Sequence, residues 1–328
     1  MSGISSFDVV VVGDGVAGTT VALELGRRGC VVAMAGGRVP TASRLPSALL
    51  HPFPGRSTNQ PLGLHAFERA RAWTEAAMAA VPGCAFRTTM VRPVSGPQAR
   101  LWRSAESMAE DILACGIDIE WLQAAAVSQR FELISEKSPA VVYQPAYVLD
   151  AEAMLDHWRD ELCRLGGGLL SSVDRVERVG ESWRLVTESE TVAAKAIVVC
   201  VGHSARDWFP ELPVQRFAGE ICCGQVSRAP GFAISSAGRH WAPMDRHGGI
   251  SIGATRYSPS VQRTDEAALA ELSAPRLLEL ELSEPRIWRG TRLAFPQDRL
   301  PLVGAVPGYR DLFAAMALGS KGFFWAPY

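Results

Sequence analysis

Short apolar runs that end at a glycine dominate the hydrophobic pattern of this chain. Residues 7–12 (FDVVVV) and 196–201 (AIVVCV) are rich in β-branched residues, and each run stops at a glycine. Runs of this length and composition predict buried β-strands. Behind the first run, Thr19–Arg28 carries apolar residues at helical spacing, and Cys30–Ala35 is a further apolar run. The N-terminal residues therefore predict a strand, a helix and a second strand, which together form a βαβ unit.

A glycine-rich turn that fits the pattern GxGxxG separates the first strand from the helix; its residues are Gly13, Asp14, Gly15, Val16, Ala17 and Gly18. In dinucleotide-binding folds the first glycine permits the tight turn and the second lets the backbone approach a pyrophosphate. The third glycine allows helix and strand to pack closely. The free N–H groups at the helix start then face the phosphates. A plain glycine-rich turn is the alternative, but the strand–turn–helix–strand order favours dinucleotide binding.

The acidic residue expected at the end of the second strand is missing. In dinucleotide-binding units this residue lies about 20 residues after the motif and holds the adenosine ribose hydroxyls. The chain has Met34-Ala35-Gly36-Gly37 there, so no carboxylate is available from that segment. Backbone groups could hold the ribose instead, or the nucleotide could bind in a non-standard way. The departure argues more strongly against NAD than against FAD.

Composition and charge describe an ordinary globular enzyme. The chain has 328 residues, of which 48% are hydrophobic and 20% charged, and its net charge is −1. This balance gives no global electrostatic argument for nucleic acid or membrane binding. No apolar run reaches the roughly 18 residues of a membrane span. Seven cysteines without a CxxC pair predict reduced thiols in a cytoplasmic protein, and neither they nor the six histidines show the spacing of a metal site.

Periodicity and breaker residues predict further elements along the chain. The predicted helices are Leu64–Ala80, Ser104–Ala114, Ala151–Leu165 and Asp265–Leu272, and the predicted strands include Val173–Val179 and Trp183–Glu188. Residues 210–290 indicate a β-rich region that contains the last of these helices.

Several segments carry a resemblance to a known family. They are Ala42–Pro52, Ser171-Ser172-Val173, Ala218-Gly219-Glu220, Gly290-Thr291-Arg292, Asp298–Gly304 and Leu318-Gly319-Ser320-Lys321-Gly322. With the glycine-rich turn, they resemble the FAD-dependent D-amino acid oxidase (DAO) superfamily over essentially the whole chain. Within it, the likeness is strongest to the C-terminal oxidoreductase domain of the MnmC family, bifunctional enzymes that modify wobble uridine in tRNA.

The resemblance implies an α/β fold (α+β overall) with two domains. A Rossmann-like FAD-binding domain would comprise 1–55, 145–212 and 288–328, and a substrate domain with a mixed or antiparallel sheet would comprise 56–144 and 213–287. Relatives usually continue for one more helix, which we expect to be missing because the chain stops at Tyr328.

The resemblance also implies FAD as the cofactor and assigns residues to it. Besides the six residues of the glycine-rich turn, the implied FAD-binding residues are Ser43, Arg44, Pro46, Ser47, Ala48, Leu49, Val173, Gly202, Leu318, Gly319, Ser320, Lys321 and Gly322. Arg292 is expected to clamp the substrate carboxylate bidentately, with a surface or ion-paired arginine as the alternative. Lys321 is expected to stabilise negative charge at the pyrimidine edge of the reduced flavin, with a solvated lysine as the alternative. His51, Trp241 and Tyr257 are candidates for substrate binding, although packed core or rim positions are the more common role of such residues.

The predicted function is FAD-dependent oxidation of a C–N bond in an N-substituted glycine or amine, with hydride transfer to flavin N5 and O₂ as electron acceptor. The substrate could be the carboxymethylaminomethyl group on tRNA wobble uridine. One alternative is a small-molecule amine or amino acid oxidase, and another is a non-catalytic dinucleotide-binding protein. For a tRNA-borne substrate, Arg87, Arg92, Arg100 and Arg103 are expected to form a basic rim at the cavity entrance. A solvated loop face is the alternative for these arginines. No metal and no membrane partner are expected.

Overall fold

A computed structural model of the protein describes most of the chain, namely residues 5–37, 42–54, 61–94, 109–135, 138–236, 238–245, 247–274 and 277–328. Its strands, in chain order, are β1 (Ser5–Val12), β2 (Val32–Ala35), β3 (Ala48–Leu50), β4 (Ala85–Pro93), β5 (Asp118–Leu122), β6 (Ala140–Leu149), β7 (Gly168–Leu170), β8 (Val173–Val179), β9 (Ser182–Thr187), β10 (Thr191–Val199), β11 (Gln215–Gln225), β12 (Phe232–Ser236), β13 (Arg239–Pro243), β14 (Gly249–Gly253), β15 (Ser283–Ala294), β16 (Leu302–Ala305) and β17 (Leu312–Met316).

The α-helices are α1 (Val16–Arg27), α2 (Pro61–Ala80), α3 (Ala109–Ala114), α4 (Ala124–Arg130), α5 (Ala151–Arg164), α6 (Ala205–Trp208), α7 (Asp265–Ser273) and α8 (Gly322–Trp325). Two short 3₁₀ helices cover Ala42–Arg44 and Gly202–Ser204. No helix in the described part of the chain has the length and apolar character needed to cross a membrane.

The chain forms two compact units. The first comprises Met1–Arg44, Glu152–Phe217 and Thr291–Pro327, and the second comprises Leu45–Ala151, Ala218–Gly290 and Tyr328. The assignment of one unit to FAD and the other to substrate stays a prediction.

The first unit is built on a sheet whose centre is parallel. Among the described residues its path runs β16-β17-β10-β1-β2-β7, and β8 and β9 extend it from β10. Within this path β17, β10, β1, β2 and β7 pair in parallel with one another, whereas β16 pairs antiparallel with β17. Alternate residues of the strands form a buried core that includes Val10, Ala33, Ile197 and Leu312. The predicted βαβ unit is confirmed, because β1 and β2 pair in parallel and α1 joins them.

The second unit is built on a largely antiparallel sheet with the path β15-β11-β14-β13-β12-β4-β6-β3, and β5 pairs with β6. The pairing of β12 with β4 is parallel, so the sheet is mixed. Its buried core includes Val91, Val142, Ile234 and Ile252. The predicted fold class, a Rossmann-like α/β domain together with a mixed-sheet domain, is confirmed.

The bounds of some elements differ from the predicted ones, and in β10 the difference is due to pairing with a neighbouring strand. β10 begins at Thr191, five residues before the predicted start at Ala196. The extra residues are strand because Thr191–Ala194 pair antiparallel with β9, while Val192–Ala194 also pair in parallel with β1. The described part of the helix predicted from Ser104 is Ala109–Ala114, and residues 104–108 lie outside the described residues.

Candidate functional site

A cavity of about 240 Å³ opens in the first unit, and every residue that lines it belongs to that unit. Its wall includes Val12, Ala35, Cys200 and Met316, which lie at or directly after the carboxyl ends of β1, β2, β10 and β17. Ligands of open α/β sheets bind outside the carboxyl ends of the parallel strands. The cavity is therefore the candidate cofactor site of this unit.

The glycine-rich turn forms one wall of the cavity, and its shape depends on glycine at two positions. Gly13 has a φ of 118°, and a Cβ atom built on it would lie 2.4 Å from the carbonyl oxygen of Cys200. A Cβ on Gly18 would lie 1.7 Å from the carbonyl oxygen of Gly13. Side chains at these positions would separate α1 from the strand ends behind it. The roles assigned to these two glycines from the motif therefore match the local geometry.

The start of α1 suits an anionic group. Gly15 precedes the helix without a capping side chain, and the first turn contains no acidic residue. Val16 donates its N–H to the hydroxyl of Ser43 at 3.1 Å, which ties the 3₁₀ segment to the helix start. The positive end of the helix dipole and the N–H groups of the first turn favour a phosphate at this point.

Two buried polar atoms at this end of the unit lack a hydrogen-bond partner among the described residues. One is the Ser172 hydroxyl, on the cavity wall, and the other is Nη2 of Arg44. The other terminal nitrogen of Arg44 contacts Asp156 at 3.2 Å and Glu152 at 3.6 Å. Buried polar groups are nearly always paired, so an orphaned hydroxyl on a cavity wall fits a site for a polar ligand. The residues present thus fit a dinucleotide cofactor.

Most of the predicted cofactor residues meet at this cavity. Those that line it are Gly13, Asp14, Gly15, Val16, Ala17, Ser43, Val173, Gly202, Leu318, Gly319 and Gly322. Gly18, Arg44, Ser320 and Lys321 belong to the same unit but are not part of the lining. Pro46, Ser47, Ala48 and Leu49 belong to the second unit, where Ala48–Leu50 pairs antiparallel with β6.

Sequence reasoning missed part of the lining, including Gly36, His203, Ser204, Trp208 and Ala315. His203 and Ser204 directly follow β10, so the rule that ligands bind beyond the carboxyl ends of parallel strands could have found them. Burial lowers the pKa of His203, and the charge of Arg216 lowers it further. His203 is therefore neutral at physiological pH.

The two predicted catalytic residues differ in position. Arg292, on β15, lines the cavity together with Thr291 and Leu293. Lys321 is half-buried, its Nζ lies 5.8 Å from the centre of the Trp325 ring, and it precedes the cavity residue Gly322. Burial lowers the pKa of Lys321 to about 8, with a further contribution from the charge of Arg299.

His51 lies in a buried polar cluster of the second unit. Its Nδ1 lies 3.0 Å from the Tyr143 hydroxyl, and burial holds the pKa of His51 well below its ordinary value, with further lowering by Arg92 and His240. Burial raises the pKa of Tyr143 to about 12, so both groups are neutral at physiological pH. His51 is therefore a neutral partner in a buried hydrogen bond.

Trp241 and Tyr257 are held by packing and ion pairs of the second unit. Trp241 is a core residue of its sheet. Tyr257 donates its hydroxyl to Glu220 at 3.1 Å, and the Glu220 carboxylate also contacts Arg263 at 3.6 Å and Arg289 at 3.4 Å. Glu220 is fully buried, so this network fixes the side chain of Tyr257. None of His51, Trp241 and Tyr257 lines the cavity of the first unit, and their role in substrate binding stays a prediction.

Two of the four arginines of the expected basic rim lie in the described part of the chain. Arg92 donates from Nη1 to the carbonyl oxygen of Phe53 at 2.8 Å, inside the second unit. Arg87 is exposed on β4, whereas Arg100 and Arg103 lie outside the described residues. The hydrogen bond to Phe53 uses one of the five N–H donors of Arg92, and the basic rim stays a prediction.

The described residues contain no group of three or more His, Cys, Asp or Glu side chains that could hold a metal ion. All seven cysteines are free thiols. Burial raises the pKa of Cys200, which lines the cavity, to about 12, so this thiol stays protonated.

Comparison with known families identifies the class of protein. The sequence profile of the FAD-dependent oxidoreductase family DAO matches residues 8–328. The chain therefore belongs to the DAO family of FAD-dependent oxidoreductases, and the predictions of FAD as the cofactor and of an oxidoreductase are confirmed.

Curated relatives include the tRNA 5-methylaminomethyl-2-thiouridine biosynthesis bifunctional protein MnmC of Caulobacter sp. (strain K31), 29% identical over 97% of this chain and 52% of the relative. MnmC of Thiobacillus denitrificans is 27% identical over 97% of this chain and 54% of the relative. The chain thus spans about half the length of the curated relatives it matches.

Solved structures with the same fold include glycine oxidase from Geobacillus kaustophilus, with a TM-score of 0.78, 22% identity and coverage of 98% of this chain and 92% of that chain. Iminodiacetate oxidase from Chelativorans sp. BNC1 has a TM-score of 0.77 at 19% identity and covers 97% of this chain and 92% of that chain.

Proposed function

We propose that the protein oxidises a C–N bond of an N-substituted glycine or a related amine, using FAD. The observation that carries the proposal is the presence of Arg292 on the wall of the cavity, in a chain that belongs to an FAD-dependent oxidoreductase family. Bound FAD would supply the hydride acceptor, at flavin N5, for the carbon next to the substrate amine.

The residues of the chain would bind and orient both molecules. The N–H groups at the start of α1 would hold the pyrophosphate, and the orphaned Ser172 hydroxyl would gain a polar partner. The planar guanidinium of Arg292 would bind the substrate carboxylate with two parallel hydrogen bonds. Lys321 would stabilise negative charge near the flavin pyrimidine edge, and its lowered pKa makes that charge depend on pH close to neutrality.

Two sources of substrate fit this chemistry. The relation to MnmC over 97% of the chain favours a modified tRNA uridine that carries a carboxymethylaminomethyl group. Iminodiacetate, named in one structural relative, is itself an N-substituted glycine, and this favours a free small amine. A free N-substituted glycine carries the same amine and carboxylate as the tRNA-borne group, and it is the simpler substrate to test first. O₂ as the electron acceptor and a cytoplasmic location belong to the same proposal.

The role of Arg292 is tested by Arg292→Lys, which replaces a bidentate clamp with a point charge. The variant should retain FAD but lose about 10- to 100-fold in kcat/KM, the effect of losing about 1.5–3 kcal/mol of charge-assisted hydrogen bonding. Arg164→Lys, an exposed arginine at the end of α5, is the matched control and should behave like wild type. Unchanged kcat/KM in Arg292→Lys on an accepted substrate would show that this arginine is not the anchor.

The substrate class is tested by two measurements on the same protein. One is turnover with glycine, sarcosine, iminodiacetate and D-amino acids, and the other is mass spectrometry of tRNA nucleosides from a strain that lacks the gene. Accumulation of the carboxymethylaminomethyl nucleoside would assign the tRNA substrate, and normal nucleosides together with turnover of a free amine would assign a small-molecule oxidase. Protein that binds FAD but oxidises none of these substrates would contradict the proposed activity.

A further inference from the structure

The side chain of Asp14 occupies the space beside the backbone of Gly36. A Cβ atom built on Gly36 would lie 2.4 Å from Cγ and 2.7 Å from Oδ1 of Asp14. Both residues line the cavity of the first unit. The carboxylate of Asp14 therefore lies where a side chain from the end of β2 would begin.

Backbone hydrogen bonds hold the two segments in this arrangement. Gly13 donates its N–H to the carbonyl oxygen of Ala35 at 2.7 Å, which ties the turn to the end of β2. The hydroxyl of Thr19 donates to the carbonyl oxygen of Asp14 at 3.3 Å, and Gly36 donates to the carbonyl oxygen of Leu170 at 3.4 Å. The contact between Asp14 and Gly36 is thus supported from β1, α1 and β7.

The end of β2 is the place from which dinucleotide-binding folds supply the carboxylate for the adenosine ribose. This chain has only Gly36 and Gly37 there. We propose that Asp14 supplies the missing carboxylate, so that the ribose hydroxyls of FAD donate hydrogen bonds to a side chain of the glycine-rich turn. The proposal rests on the use of this cavity for FAD. It explains why residue 36 is a glycine, since a larger side chain would collide with Asp14.

Charge repulsion lets the direction of the change in FAD affinity distinguish the two possibilities for Asp14. A carboxylate one residue from Gly15 lies close to the position expected for the pyrophosphate, where negative charge repels negative charge. If Asp14 made no contact with the ribose, its removal would leave FAD binding unchanged or make it tighter. If Asp14 binds the ribose hydroxyls, its removal weakens binding.

The test measures the dissociation constant of FAD from the apoprotein by quenching of flavin fluorescence, without turnover. Asp14→Ala should weaken FAD binding by about 10- to 100-fold, as expected for the loss of charge-assisted hydrogen bonds. Glu211→Ala, an exposed carboxylate of the same unit, removes the same charge and should leave the constant unchanged. In competition with FAD, wild type should prefer ADP to 2′-deoxy-ADP or 3′-deoxy-ADP, and Asp14→Ala should lose this preference.

Gly36→Glu places a carboxylate at the end of β2 instead. Residue 36 has no positive φ, so its backbone accepts a side chain without strain. Alone, it should weaken FAD binding through collision with Asp14. In the Asp14→Gly background, which also removes the Asp14 Cβ that would lie 2.5 Å from a Cβ on residue 36, it should restore binding, because the carboxylate returns to the end of β2. Tighter or equal FAD binding by Asp14→Ala, with the preference for the ribose hydroxyls retained, would overturn the inference. Failure of wild type to bind FAD would instead contradict the assignment of the cavity to FAD.

Discussion

Gly18 gives the sharpest structural prediction, because glycine also occurs at position 26 of the same helix. Replacement by alanine should destabilise the protein at position 18 but not at position 26. Gly18→Ala adds a methyl group whose carbon would lie 1.7 Å from the carbonyl oxygen of Gly13. This is about half of the roughly 3.5 Å at which non-bonded atoms are in optimal contact. The obstacle is backbone, so no side-chain rotamer can relieve it.

The magnitude follows from two opposing effects. Overpacking of a well-packed site costs about 1–3 kcal/mol or more, and a backbone obstacle places Gly18→Ala at the upper end of that range. Alanine in place of glycine in a helix returns about 1 kcal/mol. The free energy of unfolding should therefore fall by about 2 kcal/mol or more. FAD affinity should fall as well, because displacement of the helix start moves the N–H groups that face the phosphates.

Gly26→Ala is the matched control in the same helix. Its added methyl group would lie 3.3 Å from Cδ1 of Leu162 and 3.7 Å from Cδ1 of Leu165, which are the ends of flexible side chains. The helix-propensity gain then dominates, and the free energy of unfolding should stay unchanged or rise by up to about 1 kcal/mol. Urea unfolding of the apoproteins and FAD titration measure both effects. Equal stability and equal FAD affinity of the two variants would refute the packing role of Gly18.

Three further predictions concern titratable side chains that are buried or half-buried. The folded-state pKa of His51 lies well below 6.5, so stability should fall as pH drops below about 6.5, and His51→Asn should reduce this loss in unfolding measurements across pH 5–7. Lys321 has a folded-state pKa of about 8 against an ordinary 10.5. Its unfolded form therefore binds more protons between these values, and the stability of wild type relative to Lys321→Met should rise from pH 8 to pH 10.5. Glu220→Ala removes the buried carboxylate that Tyr257, Arg263 and Arg289 share, while Glu271 and Asp265 still pair with the two arginines, and it should cost about 1–3 kcal/mol of unfolding free energy. An unchanged thermal unfolding midpoint would contradict the network.

Local sequence patterns were sufficient to predict the N-terminal βαβ unit. The β-branched run 7–12 and the glycines of the turn were enough to predict β1, α1 and β2, because strand composition, helix periodicity and turn geometry act over short distances. The start of β10 at Thr191 was not predicted, since it depends on pairing with β9. Predicted helix ends differ by one to three residues for α1, α2 and α5, where the periodic pattern blurs at the termini.

The residues of the candidate site were likewise predicted only where a local motif or a family resemblance marked them. Gly13 and Arg292 were found from motif and family resemblance, and both line the cavity. The contact of Asp14 with Gly36 could not be read from the sequence, because it joins residues on different elements. The same holds for Tyr257, whose side chain is fixed by a carboxylate buried through folding of the second unit.

Anaerobic reduction of the bound flavin tests the central claim most directly. The purified protein should be yellow, and heat release followed by chromatography should yield free FAD. On addition of an N-substituted glycine without oxygen, the flavin absorbance of wild type should bleach, while Arg292→Lys should retain FAD and bleach far more slowly at the same substrate concentration. Colourless protein that fails to bind added FAD, or FAD-loaded protein that no amine substrate reduces, would contradict the account.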